Sequence, residues 1–156
     1  MNILSVFPNI LNSLSGFDPG FLSLVNLWIT ILIIVVLTCF IVSEITRNYS
    51  QVDKLWSLLP PAYAWVTVGS FHTARTVIMA VLVTLWGLRL TYNFHRKGGY
   101  NIIPWKGEED YRWSILRKSS ALKGRLRFGA FNLLFISLYQ NVVILLFTTP
   151  ILMAAL

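Results

Sequence analysis

The chain has 156 residues, of which 56% are hydrophobic and only 12% charged, and its mean hydropathy is +0.66, a composition that excludes an ordinary water-soluble domain. Its formal net charge of +7 would suit nucleic acid, but no segment has the layout of a groove-reading module, so nucleic acid is excluded as a partner. The single cysteine, Cys39, rules out an internal disulfide, and His72 and His95 fall on opposite predicted sides, so no metal site is expected.

Residues 1–21 carry no Lys or Arg and no small-residue cleavage pattern follows them, so they are expected to be a non-cytosolic tail and not a signal peptide. The first apolar run, Leu22 to Ile45, has no charge before Glu44 and exceeds the roughly 20 residues that a bilayer core requires. The second, Leu55 to Ser70, contains Pro60 and Pro61 and predicts a kinked helix beginning near Trp56, with Trp56 and Trp65 near the two interfaces. The third, Thr76 to Phe94, is a clear span with Arg89 near its end. The fourth runs from Phe128 to Leu156, with Pro150 expected to end or bend it. The expectation is an all-α, polytopic transmembrane helical bundle over residues 22–156, with about four spanning helices.

Between the third and fourth runs, residues 95–127 hold nine of the thirteen basic residues, among them Lys106, Arg112 and Arg117. The positive-inside rule makes this long loop cytosolic, together with Arg47 and Lys54, and puts both chain ends on the opposite side. Such a charge run is ordinarily a solvated loop attracted to anionic membrane lipids. Arginine beside Trp105, Tyr111 and Trp113 also suits a nucleotide phosphate. Gly98-Gly99 is a weak candidate for an anion-binding turn, and Asn48-Tyr49-Ser50 matches a glycosylation acceptor on the side where modification is not expected.

Polar residues inside apolar runs are the functional pointers. Arg89, Tyr92, Asn93 and Arg96 share a helix face with Trp86 a turn above, either snorkelling to the interface or lining a cavity. Ser137, Gln140 and Asn141 share another face beside Tyr139, either as helix-to-helix hydrogen bonds or as a pocket wall. Glu44, Asp53, Glu109 and Asp110 are the acids available to pair with arginine or to carry protons.

Several strings occur in one order: Asn48-Tyr-Ser-Gln-Val-Asp-Lys-Leu-Trp56-Ser57, Trp86-Gly-Leu-Arg-Leu-Thr-Tyr-Asn-Phe94, Arg96-Lys-Gly-Gly-Tyr100, Glu109-Asp-Tyr-Arg-Trp113 and Phe131-Asn132 through Tyr139-Gln140-Asn141. In these the chain resembles the DUF1295 family of the steroid 5-alpha-reductase-like (3-oxo-5-alpha-steroid 4-dehydrogenase) membrane superfamily, over roughly residues 24 to 156. The resemblance implies a membrane oxidoreductase in which NADPH enters from the cytosolic side and reduces the carbon–carbon double bond of a lipid or steroid-like enone. It implies Tyr92 as the catalytic tyrosine, with Glu44 or Asp53 as its acid. Arg89, Asn93, Arg96 and Arg112 are then the cofactor-binding candidates, and Trp86, Tyr139, Gln140 and Asn141 the substrate pocket.

Such proteins are roughly twice as long and carry an Asn-Tyr-Phe-Gly-Glu-like cofactor motif that this chain lacks, so the expectation is an N-terminal half that is inactive alone. Two other readings stay open: a non-catalytic membrane subunit or scaffold of a larger complex, and a lipid methyltransferase of the isoprenylcysteine type.

Overall fold

The computed structural model describes residues 16, 18–101 and 107–156, and every described element is helical. Helix α1, Pro19–Thr46, begins three residues before the apolar run because Asp18 caps it: Oδ2 accepts from the Gly20 and Phe21 amides at 2.8 and 3.2 Å, and Pro19 occupies the first turn. It ends at Arg47, whose backbone is left-handed (φ 57°). A short α2, Gln51–Leu55, and a turn lead into α3, Leu59–Ser70.

Instead of kinking a helix that begins near Trp56, Pro60 and Pro61 lie in the first turn of α3, which starts at Leu59, where a missing N–H disturbs no helical bond. A capping box at Thr73 and Thr76 then starts α4, Ala74–Arg96. Short α5, Tyr111–Lys118, is capped by Asp110, and α6, Arg125–Phe131, runs through a π-helical stretch, Asn132–Tyr139, into α7, Gln140–Ala154.

Three helices are long and apolar enough to cross a membrane: Pro19–Thr46, Ala74–Arg96 and the composite Arg125–Ala154. The second apolar segment differs from these, since α3 has 12 residues and rises only about 18 Å. It packs between α4 and α7, where Ala64, Val68 and Ala80 are buried and Trp65 Nε1 donates to Thr84 Oγ1 at 2.9 Å. Trp28 of α1 meets Tyr63 of α3 with ring centroids 4.8 Å apart.

Pro150 neither ends nor breaks α7, which continues to Ala154. The proline leaves the Leu146 carbonyl without its helical donor, and Thr149 Oγ1 supplies one at 2.7 Å.

α1 and α4 finish at one end of the bundle, and α6 starts there. At this loop end the chain segments 48–57 and 107–117 lock together. The Gly98-Gly99 turn is part of the same end, and its amides are not free for an anion: Gly98 N donates to His95 O at 2.9 Å and Gly99 N to Phe94 O at 3.1 Å, closing α4.

Candidate functional site

The interlock is built from side chains of the Asn48–Ser57 string and of the Glu109–Trp113 string, some 60 residues apart in sequence. Asn48 Nδ2 donates to Gly107 O at 2.7 Å, so the would-be acceptor amide is held in a tertiary bond. Tyr49 N donates to Glu109 Oε1 at 3.0 Å, Asp110 N to Ser50 Oγ at 2.8 Å, and Trp113 Nε1 to Asp53 Oδ2 at 2.9 Å. Arg117 closes the arrangement, with Nη2 2.6 Å from Glu109 Oε2 and its guanidinium 5.1 Å above the Tyr49 ring. On the other flank Tyr100 OH donates to Lys54 O at 2.7 Å, and Thr91 Oγ1 to Ser57 Oγ at 2.8 Å.

A cleft of about 340 Å³ opens beside this interlock, walled by Trp56, Leu90 and Phe94 and carrying Asp53, Arg112 and Gln140. A second, of about 320 Å³, shares Trp56, Arg112 and Gln140 and adds Trp113, Phe135 and Tyr139. A third, of about 460 Å³, is lined by Leu90, Asn93, Arg96 and Lys97, so Leu90 stands between an acid and amide cleft and a basic one.

Gln140 is oriented by chemistry. Trp56 Nε1 can only donate, so the Gln140 atom facing it at 3.3 Å is the carbonyl oxygen. The amide nitrogen is therefore directed elsewhere, with two N–H donors. Arg112 is held by a two-pronged pair with Asp110, Nη2 to Oδ2 at 2.7 Å and Nε to Oδ1 at 2.9 Å. That hydrogen bonding holds the Asp110 carboxyl below the usual carboxylate range and raises Arg112. Burial lowers the Lys54 ammonium from its ordinary value, against the opposing pull of Asp53.

The expected site residues therefore divide. Asp53, Arg112, Tyr139 and Gln140 meet at the two clefts that share Trp56, and Asn93 and Arg96 line the adjoining basic one. Tyr92 is 62% exposed on α4, and the Arg96 guanidinium lies 5.9 Å from its ring centroid. Arg89 is exposed as well. Glu44 lies apart, 3.5 Å from Arg47 and accepting from Asn132 Nδ2 at 3.0 Å. Trp86 packs on Phe147 of α7, with ring centroids 5.8 Å apart. Asn141 is fully buried and donates to the Ser137 carbonyl at 2.7 Å, making a structural bond within the helix. Trp105 and Lys106 lie outside the described residues.

Asn48, Ser50, Gly107 and Tyr100 carry the interlock and have no catalytic signature of their own. Asn48, Ser50 and Tyr100 were signalled by their place inside the quoted strings, whereas Gly107 lies outside all of them and had no signal.

These features define a helical membrane protein with a polar, loop-covered site at one end of its bundle. The chain belongs to the DUF1295 family, described as a protein of unknown function, which it matches over residues 39–156. It is also 40% identical over 114 residues to an uncharacterized protein of Schizosaccharomyces pombe, a match that takes in 70% of this chain and 31% of that relative. The chain thus spans about a third of the relative's length. No solved structure matches it.

Proposed function

We propose that this chain forms part of a membrane-embedded reductase that reduces the carbon–carbon double bond of an enone lipid with NADPH, and that it holds the carbonyl end of that substrate. One observation carries the reading: the amide and acid cleft and the basic cleft meet at Leu90. An apolar wall with one directed amide suits a lipid carbonyl, and Asn93, Arg96 and Lys97 suit the cofactor's phosphates. The basic cleft's donor set fits the phosphate portion of NADPH, although its volume is too small for the whole cofactor.

NADPH, when bound, supplies the hydride. Gln140 Nε2 then donates to the carbonyl oxygen as negative charge develops there, and Trp56 keeps the amide from rotating. Leu90, Phe94 and Trp56 wall the substrate, and the α carbon of the enolate left by hydride addition takes its proton from solvent water, which completes the reduction. Arg96 and Lys97 fix the phosphates, with loop 95–127 on the cytosolic side. The exposed polar face of α4, Arg89, Tyr92 and Asn93, is costly against lipid and suits cover by further protein.

In membranes containing the protein, Gln140→Leu should lower enone-dependent NADPH oxidation about 10²–10³-fold with NADPH affinity unchanged. Arg96→Gln should weaken NADPH binding instead. If Tyr92→Phe abolishes turnover while Gln140→Leu is silent, the carbonyl donor is Tyr92. A second reading, a non-catalytic membrane subunit, is favoured by the engagement of Asp53 and Arg112 in the interlock. Absence of NADPH binding by the intact protein would select it.

A further inference from the structure

A separate pocket of about 200 Å³, which shares no lining residue with the three clefts, is lined by Arg47, Arg117 and Arg125 around the rings of Tyr49 and Phe128. We propose that it binds the phosphodiester headgroup of an anionic membrane lipid. Its place in the fold carries the first part of the argument. Arg47 is the residue at which α1 leaves its apolar span, and Arg125 is the residue at which the last spanning helix begins. Both guanidinium groups therefore stand at the level where lipid phosphates lie.

The second part is charge. Glu109 occupies one edge of Arg117 at 2.6 Å, and Glu44 reaches Arg47 only at 3.5 Å. Arg125 has no ion-pair or hydrogen-bond partner among the described residues, so the pocket keeps an uncompensated positive charge. Arg117 is stiffened by its stacking over Tyr49 and Phe128, at 5.1 and 5.9 Å. Its Nη1 also donates to the Arg47 carbonyl at 3.4 Å, so Arg117 is a fixed positive wall of the pocket and the Arg47 and Arg125 guanidinium groups are left to meet a tetrahedral anion.

The third part is backbone. Arg47 is the one non-glycine residue with a left-handed backbone among the described residues (φ 57°), at a helix end where glycine is the usual occupant. A side chain kept at such a position at a conformational cost points to a use for the guanidinium. Ile45, two residues before Arg47, and Leu126, next to Arg125, are 75% and 89% exposed, which suits acyl chains running down from the headgroup. The pocket is also too small for a dinucleotide, which separates it from the cofactor cleft of the proposed reductase.

The test is native mass spectrometry of the protein in neutral detergent with equal phosphatidylglycerol and phosphatidylcholine. The wild type should retain the anionic lipid selectively. Arg47→Gly and Arg125→Gln should each lower that selectivity about fivefold. Arg47→Gly also relieves the left-handed backbone, so its melting temperature should not fall, which separates lost binding from lost fold. Lys118→Gln removes the same charge from the same loop but does not line the pocket, and should leave selectivity intact. An equal loss in Lys118→Gln would mean diffuse electrostatics and overturn the site, as would unchanged selectivity in both arginine variants. Displacement of the lipid by micromolar inorganic pyrophosphate would assign the pocket to a soluble phosphate and overturn the lipid assignment.

Discussion

Individual polar residues in this bundle fall into two kinds, those whose hydrogen bonds are complete and those whose bonds are not. Gln140 belongs to the first kind on one side and the second on the other, since Trp56 fixes its oxygen and leaves its nitrogen directed away. Tyr63 is different. Its ring is 1% exposed against Trp28, yet its hydroxyl has no hydrogen-bond partner among the described residues, and neither has Trp28 Nε1. A buried hydroxyl without a partner carries its desolvation penalty with no return. Tyr63→Phe should therefore leave stability unchanged or raise it by about 1 kcal/mol, read as the thermal midpoint in detergent. A loss above about 2 kcal/mol would mean that the hydroxyl is bonded in the membrane. At this scale the sequence marked polar residues in apolar runs but not their partners, because Trp56 and Gln140 are 84 residues apart and Asp53 and Trp113 are 60. No local spacing encodes such pairs.

The long apolar helices were legible to within a few residues, because apolar length is a property of the chain alone, whereas α5, Tyr111–Lys118, fell inside what was read as loop. What each helix does with its faces was less so. The Ser137, Gln140 and Asn141 face was read on α-helical spacing, yet the chain there is π-helical through Tyr139, which lets Ser137 Oγ reach back five residues to Asn132 Oδ1 at 3.4 Å. Ser137 and Asn141 turn fully inward, while Gln140 reaches the cleft. A second feature is the approach of α4 to the start of α3. Pro61 has no N–H for the Ser57 carbonyl, and the α4 backbone comes against that carbonyl at Gly87. A Cβ there would lie 2.6 Å from Ser57 O and 2.8 Å from Pro61 Cγ. Gly69 on α3 has nothing within 4 Å of the same construction. Helix propensity favours alanine at both sites, so the pair separates propensity from packing. Gly69→Ala should stabilise by about 0.5–1 kcal/mol, and Gly87→Ala should destabilise by about 1–3 kcal/mol. Denaturation in mixed micelles measures both, and a gain at Gly87 would mean that α3 and α4 do not meet as described.

For the whole molecule, the open question is how a 12-residue α3 joins a bundle of full-length spans. From Gln51 to Ser70 the chain is helix or turn throughout, a rise of about 30 Å if helical along its length, but its first residues are tied into the polar interlock. Only Leu58 onward is free to sit in hydrocarbon, which is short for a crossing unless the bilayer thins around it. The alternative, a re-entrant α3 with its Phe71–Thr73 turn inside the membrane, is opposed by that turn's own chemistry. His72 is exposed there, and Thr73 and Thr76 exchange hydrogen bonds in a capping box with Arg75 beside them, a polar group suited to water or headgroups. The charge asymmetry of loop 95–127 predicts a cytosolic loop end and a non-cytosolic turn. The native thiol at Cys39 is buried and gives little background, so single cysteines can report each end. With a membrane-impermeant maleimide applied to sealed vesicles, Lys118→Cys should label only from the cytosolic face and His72→Cys only from the other. Labelling of both from the cytosolic face would make α3 and α4 a re-entrant pair and leave α6 and α7 crossing outward from that same face. Protection of His72→Cys from both faces would place the turn within the bilayer, leaving α4 to span from an interior start.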